Sequence, residues 1–144
     1  LHSIVLDGDN LRNGLNQDLG FSDRDREENL RRVSELTRIL VNNGLITIIS
    51  FISPKQKFRE DAKSIIGEDV FHEIYIKASF EKCALRDVKG LYAREKNDEI
   101  NNFTGKGASF EAPLNPWLTI ETDFESQNVS SKKLFEPIFK KVKI

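Results

Sequence analysis

Two carboxylates separated by one glycine, Asp7 and Asp9, close the stretch Ile4-Val5-Leu6-Asp7-Gly8-Asp9-Asn10. The apolar run before them predicts a buried strand, so both acids stand at its carboxyl end. Like charges this close raise one another's pKa unless a cation or several donors sit nearby. As a pair they suit phosphoryl transfer, in which carboxylates hold a hydrated magnesium ion and orient the attacking hydroxyl. Asp and Asn also favour turns and helix N-caps, and on these residues alone both readings stand. Arginines follow. Arg12, Arg24, Arg26, Arg31 and Arg32 crowd a short region with Asp23, Asp25, Glu27 and Glu28, a mixture that is ordinarily a solvated helix face. Arg12 and Arg26 lie at the mouth that follows the aspartates, where guanidinium forks suit phosphate or sulfate. Composition does not choose among the five.

The elements that must position these groups are legible as periodic runs. Strand-like segments recur at Ser3 to Leu6, Leu45 to Ile52, Glu73 to Ile76 and Trp117 to Glu121, separated by stretches with helical periodicity. The longest helix has Ser22 as cap with Asp25 three residues on, an apolar face of Leu30, Val33, Leu36, Thr37, Leu40 and Val41, and Gly44 at its end. A second helix is predicted from Ser53-Pro54 through Phe58, Ala62 and Ile65 to Gly67, and a third after Ser79 toward Asp87. A last helix is expected near Ser130 or Ser131, with Pro137 delaying or kinking it. Alternation of this kind predicts an α/β fold with a mainly parallel sheet covered on both faces, which accounts for the nearly continuous apolar run from Leu45 to Ile52. Ligands on such sheets bind beyond the carboxyl ends of the strands, where Asp7 and Asp9 fall. The polar, glycine-containing segment from Lys89 to Pro116 is too long for a simple connection and reads as a flap or lid.

The totals narrow the function classes. A chain of 144 residues fits one domain with a core of its own. With 22 basic and 23 acidic residues the net charge is -1, so no whole-protein field draws it to nucleic acid or an anionic membrane, and any anion site is local. The single Cys83 excludes an internal disulfide and reads as a bland, buried or half-buried thiol; His2 and His72 form no metal-ligand cluster. No run is long and apolar enough to span a membrane and no signal peptide opens the chain, so the expected location is cytoplasmic. The chain has no methionine and opens on Leu1, which makes its N-terminus suspect as a natural start.

The stretches LDGDNLRNGLNQDLGFSDRDREENLRR, GLITIISFISP, RDVKGLYAR, EINNFTG and FEAPLNP resemble, in order and spacing, adenylylsulfate kinase. The resemblance covers about Val5 to Asp123 and implies a P-loop kinase that moves the γ-phosphoryl of ATP, with Mg2+, to the 3′-hydroxyl of adenosine 5′-phosphosulfate. It implies that Asp9 orients or deprotonates that hydroxyl, with Asp7 nearer the metal. Arg12, Arg26 and Asn29 match positions that hold the phosphosulfate and sugar, and Phe21 and Phe103 match an aromatic pair that sandwiches the base. Ile52 and Ser53 match the strand end lining the same pocket, Lys89 a position that reaches bound substrate, and Arg86 a lid-base arginine over the ATP base. The partners so implied are small nucleotides, with no nucleic acid and no membrane; a homodimer is left open.

Two departures qualify the resemblance. In the flap this chain has AREKNDE where KKARAGE is usual, and KGASFE after FTG where an Ile-Asp-x-x-Tyr-Glu pattern is usual. A relative retuned for another nucleotide, such as cytidine diphosphoramidate in surface-glycan modification, would change this flap and keep Asp9 and Arg12. The second departure is that no G-x-x-x-x-G-K-[ST] occurs, although the family places it upstream of the strand ending in Asp7. Without it the β- and γ-phosphates lack their N–H cradle. The expectation is therefore a single kinase-like domain over 1–144, N-terminally incomplete, with a lid at about 87–116. Its central strand would be missing, leaving two half-sheets with exposed edges, poor solubility and no phosphoryl transfer by these residues alone. The competing expectation is a non-catalytic nucleotide-binding module.

Overall fold

The computed structural model describes residues 2–87, 90 and 110–142. They fall into two compact units, one running to Phe71 and including Phe110 and Glu111, the other starting at His72 and resuming at Ala112.

The first unit is a strand–helix–strand crossover closed by a further helix. Strand β1, Ser3–Asp7, pairs in parallel with β2, Ile46–Ser50, with Leu6 opposite Ile49 and Asp7 opposite Ser50. A short helix α1, Gly8–Arg12, follows β1 directly, and the crossover is made by α2, Asp23–Asn42. As predicted, Ser22 caps α2: its Oγ accepts from the Asp25 amide at 3.2 Å and donates to the Asp25 carboxylate at 2.7 Å. The helix ends as Gly44 predicts, at φ 79°, with the amides of Gly44 and Leu45 returning to the carbonyls of Val41 and Leu40. That geometry needs a left-handed residue, which glycine adopts without steric cost. The buried face of α2 is Asn29, Leu30, Val33, Ser34 and Thr37, so Asn29 and Ser34 join three predicted residues while Leu36, Leu40 and Val41 are half-buried. The Ser34 hydroxyl donates to the Leu30 carbonyl at 2.8 Å, which satisfies it inside the helix.

Helix α3 spans Gln56–Ile66, two residues later than the Ser53-Pro54 cap predicts, because Ser53 takes a left-handed φ of 43° instead of the extended conformation of an N-cap. Its buried apolar residues are Phe58, Ala62 and Ile66, a strict i, i+4, i+8 row that selects Ile66 over the predicted Ile65. Phe58 and Ala62 meet Leu30 of α2 in a core that Phe51 and Phe71 partly cover. On the opposite side of the strands the register partners Val5 and Ile48 are exposed. The apolar run therefore predicts a cover over this face that the described residues do not supply.

The second unit repeats the parallel pairing with β3, Ile74–Lys77, and β4, Leu118–Glu121, Ile76 opposite Ile120. Ser79 caps the seven-residue α4, Phe80–Arg86, as predicted. The last helix, α5, runs Gln127–Val142. It starts before the predicted Ser130 and continues past Pro137, which costs it one main-chain hydrogen bond without ending it. His72 stacks on Trp117 with centroids 4.9 Å apart, and Cys83 is half-buried. The four strands thus form two separate parallel pairs, β1–β2 and β3–β4. Most of the predicted lid falls outside the described residues.

Candidate functional site

The carboxyl end of β1 is where the chain turns directly into a helix. Asp7 is its cap: one carboxylate oxygen accepts from the amides of Asp9 and Asn10, both at 3.2 Å. The turn reading of Asp7 is therefore realised in the structure, which leaves its second oxygen as the part that could meet a cation. Asp9 lies in the first turn of α1, where a negative charge is favourable. Asp7 thus meets two amide donors, and Asp9 lies in a cationic neighbourhood, acting on the charge of Arg12.

That neighbourhood is built by the loop from Asn13 to Ser22. Arg12, at the end of α1, sends Nη1 to the carbonyls of Leu19 at 3.1 Å and Gly20 at 2.7 Å, folding the loop back onto its own start. Gly20 approaches α2 so closely that a Cβ would stand 3.0 Å from the Asp25 carboxylate. Phe21 follows with its ring 61% exposed. The Arg12 guanidinium carbon lies 4.6 Å from the ring centre and that of Arg26 5.7 Å, both within cation–π range. Arg26 also donates Nε to the Phe21 carbonyl at 3.1 Å. Partial burial lowers the Arg12 pKa from its ordinary value, and the charge of Arg26 lowers it further; Asp25 and Asp9 act in the opposite sense. Two guanidiniums that repel one another across an exposed aromatic ring form an arrangement that an anion would stabilise. The choice among five arginines, open in the sequence, is narrowed here: Arg31 and Arg32 are both bound to Glu28, at 2.7 and 2.9 Å.

Asn29 sits beneath this loop, 5% exposed, and its Oδ1 accepts from the Asn16 amide at 2.7 Å. Asn16, fully buried, was not singled out by sequence, since a loop asparagine reads as a turn former. It ties the loop to α2, while Arg32 holds the same loop through a bidentate pair with Asp18 at 2.7 and 2.8 Å. At the end of β2, Ile52 is 62% exposed and Ser53 carries the left-handed φ. The structure thus places Arg12, Phe21 and Arg26 in contact, with Asp9 acting electrostatically on Arg12. It gives Asp7 and Asn29 structural partners. Arg86 belongs to the second unit, where it binds the Thr122 hydroxyl at 3.1 Å and carbonyl at 2.6 Å. Lys89 and Phe103 lie outside the described residues.

Among the described residues no three His, Cys, Asp or Glu side chains gather as a metal cage. That suits an ion such as Mg2+, which takes one or two carboxylates and completes its shell with water and substrate phosphate. A cleft of about 490 Å³ between α2 and α3, lined by Arg24, Glu27, Arg31, Phe58 and Asp61, includes none of the residues that the family resemblance assigns to the site. Its charges are matched by Lys57, which pairs with Glu27 and Asp61 at 2.6 and 2.7 Å.

Comparison with known proteins gives these residues a context. The family model described as adenylylsulphate kinase matches residues 1–121. The adenylyl-sulfate kinase of Bacteroides thetaiotaomicron is 46% identical over 138 residues, 96% of this chain and 69% of its own. That of Oceanobacillus iheyensis is 50% identical over 125 residues, 87% of this chain and 63% of its own. The chain thus spans about two thirds of the length of these relatives. The structure of the Mycobacterium tuberculosis APS kinase CysC in complex with AMPPNP and APS superposes with a TM-score of 0.83 at 37% identity, covering 93% of this chain and 79% of that one.

Proposed function

Because this chain belongs to the adenylylsulphate kinase family, we propose that the whole protein transfers the γ-phosphoryl of ATP to the 3′-hydroxyl of adenosine 5′-phosphosulfate. The observation that carries the acceptor side is the pair of guanidiniums, Arg12 and Arg26, flanking the exposed Phe21 ring at 4.6 and 5.7 Å. Phosphosulfate is an anion that two forks can share, and adenine is a flat base that an aromatic face reads by stacking. Asp9, one helical turn before Arg12, takes the proton of the 3′-hydroxyl as its oxygen bonds to the γ-phosphorus. The bond from that phosphorus to the bridging oxygen breaks, and ADP leaves. Asn29, already anchored by Asn16, fixes the floor under the sugar and phosphosulfate, while Ile52 and Ser53 wall the pocket.

The residue suited to Mg2+ is Asp7, through its second carboxylate oxygen, and the bound ion would neutralise charge on the ATP phosphates. These 144 residues contain no G-x-x-x-x-G-K-[ST], so they are read as the acceptor half of the reaction. Lys89, Phe103 and Arg86 keep the roles that the family resemblance implies, as part of this proposal. The test is an assay of the whole protein with Mg-ATP and either adenosine 5′-phosphosulfate or a cytidine diphosphate derivative. Formation of 3′-phosphorylated adenylylsulfate with matching ADP release is the expected result. Turnover of the cytidine nucleotide alone would replace the substrate.

A further inference from the structure

The turn after β2 is held by Arg59, outside every quoted motif, and by Glu111 of the FEAPLNP stretch, to which no role has been given. Ser53 sits at φ 43°, a left-handed conformation that side chains other than glycine disfavour and that persists only where the surroundings enforce it. Arg59 is 7% exposed; its Nη1 donates to the Ser53 carbonyl at 2.7 Å. The Nη2 of the same guanidinium donates to the Gln56 side-chain oxygen and to the Glu111 carbonyl, each at 2.7 Å. Glu111 in turn donates its amide to the Pro54 carbonyl at 2.8 Å. Its carboxylate accepts from the Gln56 amide at 2.7 Å. That amide opens α3, where Lys55 stands in the N-cap position and supplies no side-chain acceptor. Glu111 therefore supplies a cap that is absent locally, from 55 residues along the chain. Phe110 completes the contact, its ring centre 5.8 Å from the Arg59 guanidinium.

We infer that Arg59 and Glu111 are positioning residues for the acceptor nucleotide, setting the strand-end wall of Ile52 and Ser53 through the Ser53 carbonyl and the first turn of α3. The inference rests on the proposed function, which puts Ile52 and Ser53 at the acceptor. It follows from geometry. A buried fork fixes the carbonyl of the strained residue on one side, and a distant carboxylate fixes the amide three residues later on the other. A turn clamped at both ends presents one conformation to a ligand, and ligand binding then costs less ordering.

The whole protein is compared with its Glu111→Ala, Glu111→Gln and Arg59→Lys variants by steady-state kinetics with both nucleotides and by amide hydrogen exchange over residues 52–57. Gln retains a side-chain oxygen for the Gln56 amide, whereas Ala has none; a single ammonium cannot reach both carbonyls that Arg59 spans. The expected result is faster exchange at 52–57 and an acceptor KM raised roughly tenfold in Glu111→Ala and Arg59→Lys, the scale of one lost hydrogen bond. The KM for ATP stays unchanged, and Glu111→Gln stays near wild type. Unchanged acceptor KM in both variants despite faster exchange would overturn the positioning role alone, as would a loss of active protein with no change in either KM. A wild-type protein without turnover on adenosine 5′-phosphosulfate would sink the proposed function and this inference together.

Discussion

The two parallel strand pairs end differently, one in Asp7 beside Ser50 and the other in Lys77 beside Glu121, and charge gathers around them in different ways. In the second unit, Lys77 and Glu121 are register partners bound at 2.8 Å. Asp123 accepts twice from the Ser79 amide at 3.0 Å, and Arg86 is bound to Thr122. Each charge is answered within the unit: Glu121 raises the Lys77 pKa, and the Ser79 hydrogen bond lowers that of Asp123. In the first unit, Arg12 and Arg26 face one ring, and burial first and the Arg26 charge second lower the Arg12 pKa against the opposite pull of Asp25 and Asp9. A strand end whose charges cancel stabilises itself. One that brings two guanidiniums onto an exposed aromatic ring is a candidate site for an anion.

The largest expected effect separates chemistry from binding at the first strand end. Asp9→Asn keeps a polar side chain in α1 and removes the proton acceptor, so turnover of the whole protein should fall by roughly two or more orders of magnitude. Acceptor affinity measured by calorimetry should change little. Near-normal turnover would reduce Asp9 to a helix-start residue like Asp7.

Arg26→Ala and Lys77→Gln set the two strand ends directly against each other. Loss of a charge-assisted contact to the acceptor should weaken its binding by roughly 1.5–3 kcal/mol in Arg26→Ala. Lys77→Gln removes an exposed pair that is already self-contained and should leave acceptor affinity within roughly twofold of wild type. Comparable losses in both variants would erase the contrast. Phe21→Ala should weaken acceptor binding by about 1–3 kcal/mol, the range of a stacked base, and leave ATP affinity unaltered. Equal losses for the two nucleotides would assign Phe21 to folding.

The smallest effect sharpens how the loop of the first unit is held. Glu28 is held at about 2, below its ordinary 4.5, by hydrogen bonds from Arg31 and then Arg32. Because the folded value is the lower one, this stabilisation is present above the unfolded value near 4.5 and is lost as pH falls toward 2. Glu28→Gln should therefore flatten a shallow acid-side decline in the thermal midpoint, a small effect at an exposed pair. Asp18, lowered by Arg32 in the same way, contributes to the same limb. A pH profile identical to wild type would show that Asn16 and Arg12 hold the loop without it.

Local chemistry was legible in the sequence wherever neighbours in the chain are also neighbours in space. Ser22 with Asp25, Gly44, Ser79 and the alternation of strands with helices are satisfied within a few residues, so their signals survive without tertiary context. The Asp7-Gly8-Asp9 pair at a strand end and the arginines after it belong to this class, and the roles proposed for them rest on the family resemblance. Sequence could not decide which arginines hold Glu28 and Asp18, because that depends on those carboxylates reaching Arg31 and Arg32. Nor could it place the start of α3. Ser53-Pro54 is a good local signal, and it is overruled by Glu111 capping Gln56 from far along the chain. Buried Asn16 and Arg59 carry no periodic signature, since a polar residue inside is stabilised by specific partners and not by its place in an apolar pattern. Periodicity and caps are written in consecutive residues, whereas the identity of a buried polar group's partner exists only once the chain has folded.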